Sequence, residues 1–590
     1  MDTGTGQISG TLFKETGGFN PENQVMGQLI LNDFYLKLVY EKLLILVNFN
    51  SAEYYKNIYL LLKLIIPITR IISLNGGFCV NPTKWGLSNL IVVLGLYLLF
   101  SVIIFPNFEY IINSDGISYI NIATNYLNGH IFQAINGYWS PLYSWLLVPF
   151  IYIWPGNLEN VISTKILSII IGLFTFIAIS SILTKLSMDN YQKTITLLAL
   201  LPFMLYFTFN YISPDFLVVC TLLYYMNFLM DERYRKTWLM GILTGFLGVM
   251  AFLAKSYVFF FFLIHFMVVN LFYVEKFSRD RKTIQKNFLL GLSVFLVISG
   301  LWVGMISEKY GTITIGTTGS YNYALAGPNS SGHPIFSQGL IKPPHEFSTS
   351  SWDDPSCFHI NKWNPFKSTQ NFQHQIRIIL GNLYDLILLS FNLMFIPFFT
   401  IIMALFLFFK TDKESIKNNL VIILGTMLIY LSGYLIILVE ERYLWFVLIL
   451  SIILGFYTLN MLYKERYLMK KIYVSLIIVL ILCLAFYPIS LLHSYSGACS
   501  GAYMVSMDLK SHGIKGNIAS NDHWEIMDYF GYYLDDQYYG ITGNKSSLEL
   551  RRDLDLYQID YYFIWDESLP GDSLGEIVYK NQYFRVIKVR

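Results

Sequence analysis

The sequence predicts an α-helical polytopic membrane protein with about 11 transmembrane helices and a small C-terminal α/β domain outside the bilayer. Three observations predict it. Hydrophobic residues make up 54% of the 590 residues and charged residues only 14%, where a soluble domain carries about 25%. Apolar runs of roughly bilayer length recur between residues 87 and 491, and the loops joining them alternate between basic and non-basic. Beyond residue 492 the composition turns polar, and short apolar strands alternate with helical patterns.

Residues 1–86 hold two apolar stretches, Asp33–Phe49 and Lys56–Leu74, broken by lysine and arginine. They read as an N-terminal cytoplasmic or interfacial amphipathic segment. The domain 87–491 opens with a clean span, Leu87–Phe105, followed by external loop 106–160. Asp115 heads a helical pattern (Ile117, Ile120, Ala123, Tyr126, Leu127) that stops at Asn128-Gly129. Such a helix can lie on a membrane surface and hold its N-terminal carboxylate above the bilayer. Tyr138, Trp139, Tyr143 and Trp145 then surround Pro141, an interfacial composition.

Pro141–Trp154 is too short to cross. Further spans are predicted near 161–184, 194–212, 215–230, 238–254, 256–274, 287–307, 392–409, 420–439, 443–462 and 472–491. Every second loop is then basic, and segment 275–286 alone carries five Lys/Arg in twelve residues. Loop 308–376 carries four in sixty-nine. The positive-inside rule puts the basic loops in the cytoplasm and loop 308–376 and the tail outside. Run 238–274 would be about 55 Å long as one helix, so it must turn, and its only charge, Lys255, marks the turn.

Loop 308–376 holds six of the eighteen prolines, with His333 and Trp352-Asp353-Asp354-Pro355, and reads as an ordered binding loop. The domain 492–590 reads as helix 498–512, strand 516–520, helix 523–534, strand 537–541, helix 546–557, strand 559–565 and a last strand near 583–589. The five cysteines form no CxxC or metal-ligand spacing, although Cys357 and Cys499 both fall outside, which admits a disulfide between them. No basic block points to nucleic acid.

This topology collects four charged groups on the outer face: Asp115, Asp215 after Pro214, Lys255, and Arg442 in Glu440-Glu-Arg-Tyr443. Charges at membrane level cost about 2.5–3.5 kcal/mol each, so they face a cavity or pair. Each has an ordinary alternative: a helix cap for Asp115, a helix start for Asp215, headgroup contact for Lys255, a rim pair with Glu440 or Glu441 for Arg442. Two cations able to hold a phosphate and a carboxylate able to take a hydroxyl proton suit chemistry on a phosphorylated lipid.

Asp115-Gly-Ile-Ser-Tyr, Pro214-Asp215, Ala254-Lys255-Ser-Tyr and Arg442-Tyr443 resemble the GT-C glycosyltransferases. Within that class they are similar to the protein O-mannosyltransferase and aminoarabinose transferase group (glycosyltransferase family 39-like) over residues 87–463. The resemblance implies a polyprenyl-phosphate-linked sugar donor whose phosphate lies against Lys255, Arg442 and Tyr443. It implies Asp115 as general base, with Asp215 orienting substrate or helping to bind a divalent cation (Mg or Mn) if one is used. Tyr138, Trp139, His333, Trp352, Asp353 and Asp354 would shape the acceptor side. Mannosyltransferases have an Asp-Glu pair where this chain has Asp115-Gly116, so the sugar, the acceptor (protein, lipid or glycan) and metal use stay open.

The resemblance also implies a plasma membrane location. Two other classes share the composition. A transporter or flippase would place its charges near the midplane in broken helices and show repeats. A membrane-anchored scaffold would act through its tail and tolerate substitution of Asp115.

Overall fold

Buried in lipid, a backbone has only itself for hydrogen bonding, so each long apolar run folds as a helix. The computed structural model describes residues 82–590, with side chains from Asn89 onward, apart from Ser331, His359, Met394, 544–545 and 566–573. The two predicted N-terminal amphipathic stretches lie outside the described residues. Helices α1 (Pro82–Ile104), α2 (Ser114–Leu127), α3 (Pro141–Ile153), α4 (Asn157–Lys185) and α5 (Asn190–Phe209) begin the chain. Then come α6 (Asp215–Leu229), α7 (Leu239–Ala254), α8 (Val258–Lys276) and α9 (Arg281–Tyr310). After the long loop follow α10 (Thr369–Asn392), α11 (Ile396–Lys410), α12 (Glu414–Ile437), α13 (Trp445–Lys464) and α14 (Lys470–Tyr495).

A helix stands at each predicted span. Among the described residues eight are long and apolar enough to cross a membrane, or nine with α10 and α11, which bend by 96° at their junction, taken as one. Helices α6 and α7 have 15 and 16 residues, about 23 Å at 1.5 Å per residue, shorter than the hydrocarbon core. Helix α6 is buried almost throughout, and α7 on the face turned to its neighbours, with Leu239 and Phe246 exposed. Helix α3 has 13 residues and is too short to span, as its sequence predicts. Helix α13 is buried along its whole length and forms the centre of the bundle.

The basic turns gather at one end. Lys185 pairs with Asp231 at 2.9 Å, Arg235 with Asp280 at 3.7 Å, Lys413 with Glu465 at 2.6 Å, and Lys276 with Glu414. Since α6 runs from Asp215 toward Asp231, the turns bearing Asp215, Lys255 and Arg442 lie at the opposite end. Lys255 adopts an extended backbone (φ −154°) that ends α7 and lets α8 start at Val258.

The C-terminal domain is a five-stranded sheet of order β2-β1-β3-β5-β4. Strands β1 (Asn517–Ser520), β2 (Gln537–Ile541) and β3 (Tyr561–Ile564) are parallel, because α16 (Trp524–Leu534) and α17 (Ser547–Leu556) cross over between them. Strand β5 (Arg585–Lys588) runs antiparallel to β3. The sequence reading missed β4 (Glu576–Lys580), an edge strand largely open to solvent, whose pairing with β5 leaves no alternating pattern to find. Helix α15 (Ser500–Ser511) follows α14. The disulfide is corrected too: Cys357 and Cys499 are both free, and the Cys499 thiol instead donates to the Ile112 carbonyl.

This domain is bolted to the rest. Helix α16 packs against α2 and α4, and Asn157 donates to Tyr532 O and Asp535 Oδ1, both at 2.8 Å. Loop 308–376 covers the outer edge of β2, with Ile341 N donating to Tyr539 O and Tyr538 N to Thr349 O, both at 2.7 Å. An open sheet edge is thereby closed.

Helices α7 and α9 cross with their backbones in close approach. A Cβ on Gly245 would lie 2.2 Å from the Gly291 carbonyl oxygen, whereas one on Gly300 meets nothing within 4 Å. Gly245→Leu is therefore expected to destabilise the protein by about 1–3 kcal/mol or more. Gly300→Leu should be near neutral, both measured by thermal unfolding in detergent.

Candidate active site

Asp115 lies in the first turn of α2. It is not the cap: Asn113 occupies that position, and its side chain clasps the next turn instead, accepting from Ile212 N at 3.1 Å and donating to Ile212 O at 3.3 Å. Gly116 permits this approach, since a Cβ there would lie 2.7 Å from Ile212 Cβ. The clasp brings the Asp115 turn beside Ser213-Pro214-Asp215. Asp215 opens α6 and is 5% exposed.

Two cations meet these carboxylates. Lys255 Nζ contacts Asp215 Oδ1 at 2.5 Å and lies 3.6 Å above the centre of the Tyr443 ring. Arg442, in the 3-10 turn that leads into α13, donates through Nη1 to Asp115 Oδ2 at 2.6 Å and through Nε to Glu440 Oε2 at 2.9 Å. Its Nε is also 4.0 Å from Asp215 Oδ2. The side chains of Lys255 and Arg442 are each 18% exposed. Tyr211 lies under the guanidinium, and Tyr434 stacks on Tyr443. The described hydrogen bonds use two of the five guanidinium N–H groups, so the fork can still receive an anion.

The long loop supplies the other side. The Trp352 indole donates to Asp115 Oδ1 at 3.0 Å, so both carboxylate oxygens are held. The Trp352 carbonyl accepts from Trp139 Nε1 at 3.1 Å and Ser118 Oγ at 3.2 Å. Tyr138, Trp139, Tyr321 and His333 pack their rings against Trp352.

No protein-family model matches the sequence, and no curated protein matches it either. Solved structures do match the fold. The crystal structure of ArnT from Cupriavidus metallidurans bound to undecaprenyl phosphate superposes with a TM-score of 0.51 at 11% identity, covering 86% of this chain and 99% of that one. The apo state of the same protein gives 0.47 at 10% identity, covering 84% and 97%. The chain has the GT-C fold.

Within this GT-C fold the structure brings Asp115, Asp215, Lys255, Arg442 and Tyr443 into one half-buried cluster. Tyr138, Trp139, His333 and Trp352 form an aromatic wall against it. Burial pushes the His333 imidazole down to about 4, and its ring accepts from Ile335 N and bonds the Tyr321 hydroxyl. Asp353 and Asp354 are turned to the scaffold. Asp353 is buried and accepts from Asn121 at 2.9 Å and Thr349 N at 2.8 Å; burial pushes its carboxyl up to about 6. Asp354 accepts from the Tyr310 hydroxyl at 2.6 Å.

Sequence reasoning overlooked Asn113, Tyr211 and Tyr434, and saw Glu440 only as a rim partner. Asn113 stands two residues before Asp115 and Tyr211 four before Asp215, but neither spacing announces a contact. Glu441 parts from its neighbour and takes hydrogen bonds from Tyr206 at 2.8 Å and Tyr487 at 2.5 Å. Asp115, Asp215 and Glu440 converge on the Arg442 guanidinium, and among the described residues no group of three His, Cys, Asp or Glu side chains is arranged to hold a metal ion. Asp115 and Asp215 already face cations, so the donor set does not fit a divalent ion.

In the Lys255–Asp215 contact Asp215 is buried and Lys255 largely so, and breaking such a pair leaves one charge stranded. Lys255→Met is expected to cost about 3–5 kcal/mol in thermal unfolding. The Asp215→Asn/Lys255→Met double variant should recover most of that loss. A single variant as stable as the wild type would contradict the pairing.

Proposed function

We propose that this chain is an integral membrane glycosyltransferase. It moves a sugar from a polyprenyl-phosphate-linked donor to a hydroxyl on a protein, lipid or glycan at the outer face of the membrane. The observation that carries the reading is the cluster itself: a carboxylate with both oxygens oriented, beside two cations with spare donors, at one end of a helical bundle. The GT-C fold supports it, and the ArnT neighbour was crystallised with undecaprenyl phosphate. The clustering of basic turns at the far end supports the outer-face assignment.

Asp115 takes the proton of the acceptor hydroxyl as its oxygen attacks the anomeric carbon. The bond from that carbon to the phosphate oxygen breaks, and polyprenyl phosphate leaves with the electron pair. Lys255 and Arg442 hold the phosphate and receive the growing charge on the leaving oxygen. The Tyr443 ring, against the ammonium of Lys255, fixes the direction of that charge. A single displacement inverts the anomeric configuration. Asp215 sets the position of Lys255, and Tyr138, Trp139, His333 and Trp352 offer flat apolar faces to a sugar ring.

The test uses purified protein with a panel of radiolabelled polyprenyl-phosphate sugars and native membrane extract as acceptor source. Wild type should release polyprenyl phosphate from one donor. Asp115→Asn should be slower by about 10²–10⁴-fold, the usual contribution of a general base. Undiminished release by Asp115→Asn would remove Asp115 from the base role, and no release from any donor would remove the transferase reading.

A further inference from the structure

Asp528 is a buried carboxyl that the proposed reaction does not use. It sits in the middle of α16, the helix of the C-terminal domain that packs on α2, and is 1% exposed. Neither of its oxygens has a fully formed hydrogen bond, and the Ser114 hydroxyl beside it is equally buried and unbonded. Its carboxyl faces two hydroxyls, those of Ser350 and Ser114. These belong to the two segments that hold Asp115. Ser114 is the residue before Asp115 and opens α2. Ser350 accepts from Trp352 N at 3.3 Å, and the Trp352 indole in turn donates to Asp115.

We propose that Asp528 is a positioning residue, an acid O–H donor wedged between the Ser114 and Ser350 turns, through which the C-terminal domain aligns Asp115 with the Trp352 indole. An ionised carboxylate would accept from both serine hydroxyls but would be buried without a cation, whereas the neutral acid can also donate to one of them. The ionisable groups coupled to Asp528 favour the neutral acid. Glu525 on its own helix and Asp353 on the loop are both acidic, and Tyr538 on β2 is the third. Burial, with these neighbours, pushes the carboxyl up to about 8. Asparagine has nearly the same shape and keeps a donor at every pH, whereas alanine removes donor and shape together.

The inference rests on the glycosyl-transfer reading, and its test is built to separate the two. Full-length wild type, Asp528→Asn and Asp528→Ala are compared for polyprenyl phosphate release between pH 6 and 10, and for melting temperature over the same range. Turnover of wild type should fall as pH rises through about 8, and Asp528→Asn should keep the neutral-pH rate and lack that fall. Asp528→Ala should lose about tenfold in kcat with KM within twofold. An Asp528→Asn enzyme as slow as Asp528→Ala, or one that keeps the alkaline fall, would overturn the proposal.

Stability gives a readout that needs no donor. A carboxyl whose pKa is raised on folding makes the native state bind more protons than the unfolded chain, so stability drops as pH climbs toward the folded value and levels off above it. Wild type should therefore lose melting temperature between pH 6 and 8 more steeply than Asp528→Asn. Asp536, pushed up to about 7 by burial, titrates in the same window but is common to both proteins. Equal slopes would overturn the inference even if no donor were turned over, an outcome that counts separately against the transferase reading.

Discussion

Taking two carboxylates and two cations out of water is tolerable only if they meet, and the meeting of Asp115, Asp215, Lys255 and Arg442 governs the rest of this structure. Each comes from a different turn. Asp115 belongs to the first loop, Asp215 to the start of α6, Lys255 to the break between α7 and α8, and Arg442 to the turn before α13. Left alone at membrane depth, each would cost a few kcal/mol. Their convergence explains the extended backbone at Lys255, the Asn113 clasp on Ile212, and the glycine after Asp115. Helix α13, buried on all sides, delivers Arg442 to the middle of the group.

Orientation is a separate task, carried out by parts outside the bundle. Loop 308–376 brings the Trp352 indole to the oxygen of Asp115 that Arg442 leaves uncovered. The loop is itself held on both sides. Asp353 ties it to Asn121 of α2, Asp354 ties it to Tyr310 at the end of α9, and two backbone bonds lay it along β2. Two residues that resemble acceptor ligands in sequence thus act as braces. The C-terminal domain is part of the same construction, with α16 packed on α2 and its sheet edge covered by the loop that carries Trp352.

Much of this was legible in the sequence. Membrane spans depend on length and apolarity, both local properties, and the alternating basic loops place the four charged groups at one end. The turn at Lys255 followed from helix length alone. What stayed hidden depends on tertiary approach. Asn113 and Tyr211 carry no spacing signal for a contact with distant turns, and β4 is an exposed edge strand without alternation. Trp-Asp-Asp looked like one functional unit, yet only the tryptophan faces Asp115. Asp528 lies in a helix whose apolar face resembles any other, and its carboxyl becomes unusual only where α16 meets α2. Cys357 and Cys499 shared a predicted side, which is no measure of distance.

The central claim is that Lys255 and Arg442 form a site for a polyprenyl monophosphate, and equilibrium binding tests it most directly. Thermal unfolding of the purified protein would be followed against undecaprenyl monophosphate, with a neutral polyprenol of equal length as control. The account predicts a melting temperature that rises with monophosphate concentration as a single saturable site requires, and a much smaller rise with the alcohol. Equal stabilisation by both lipids, or none by either in a folded preparation, would contradict a phosphate site at these two cations.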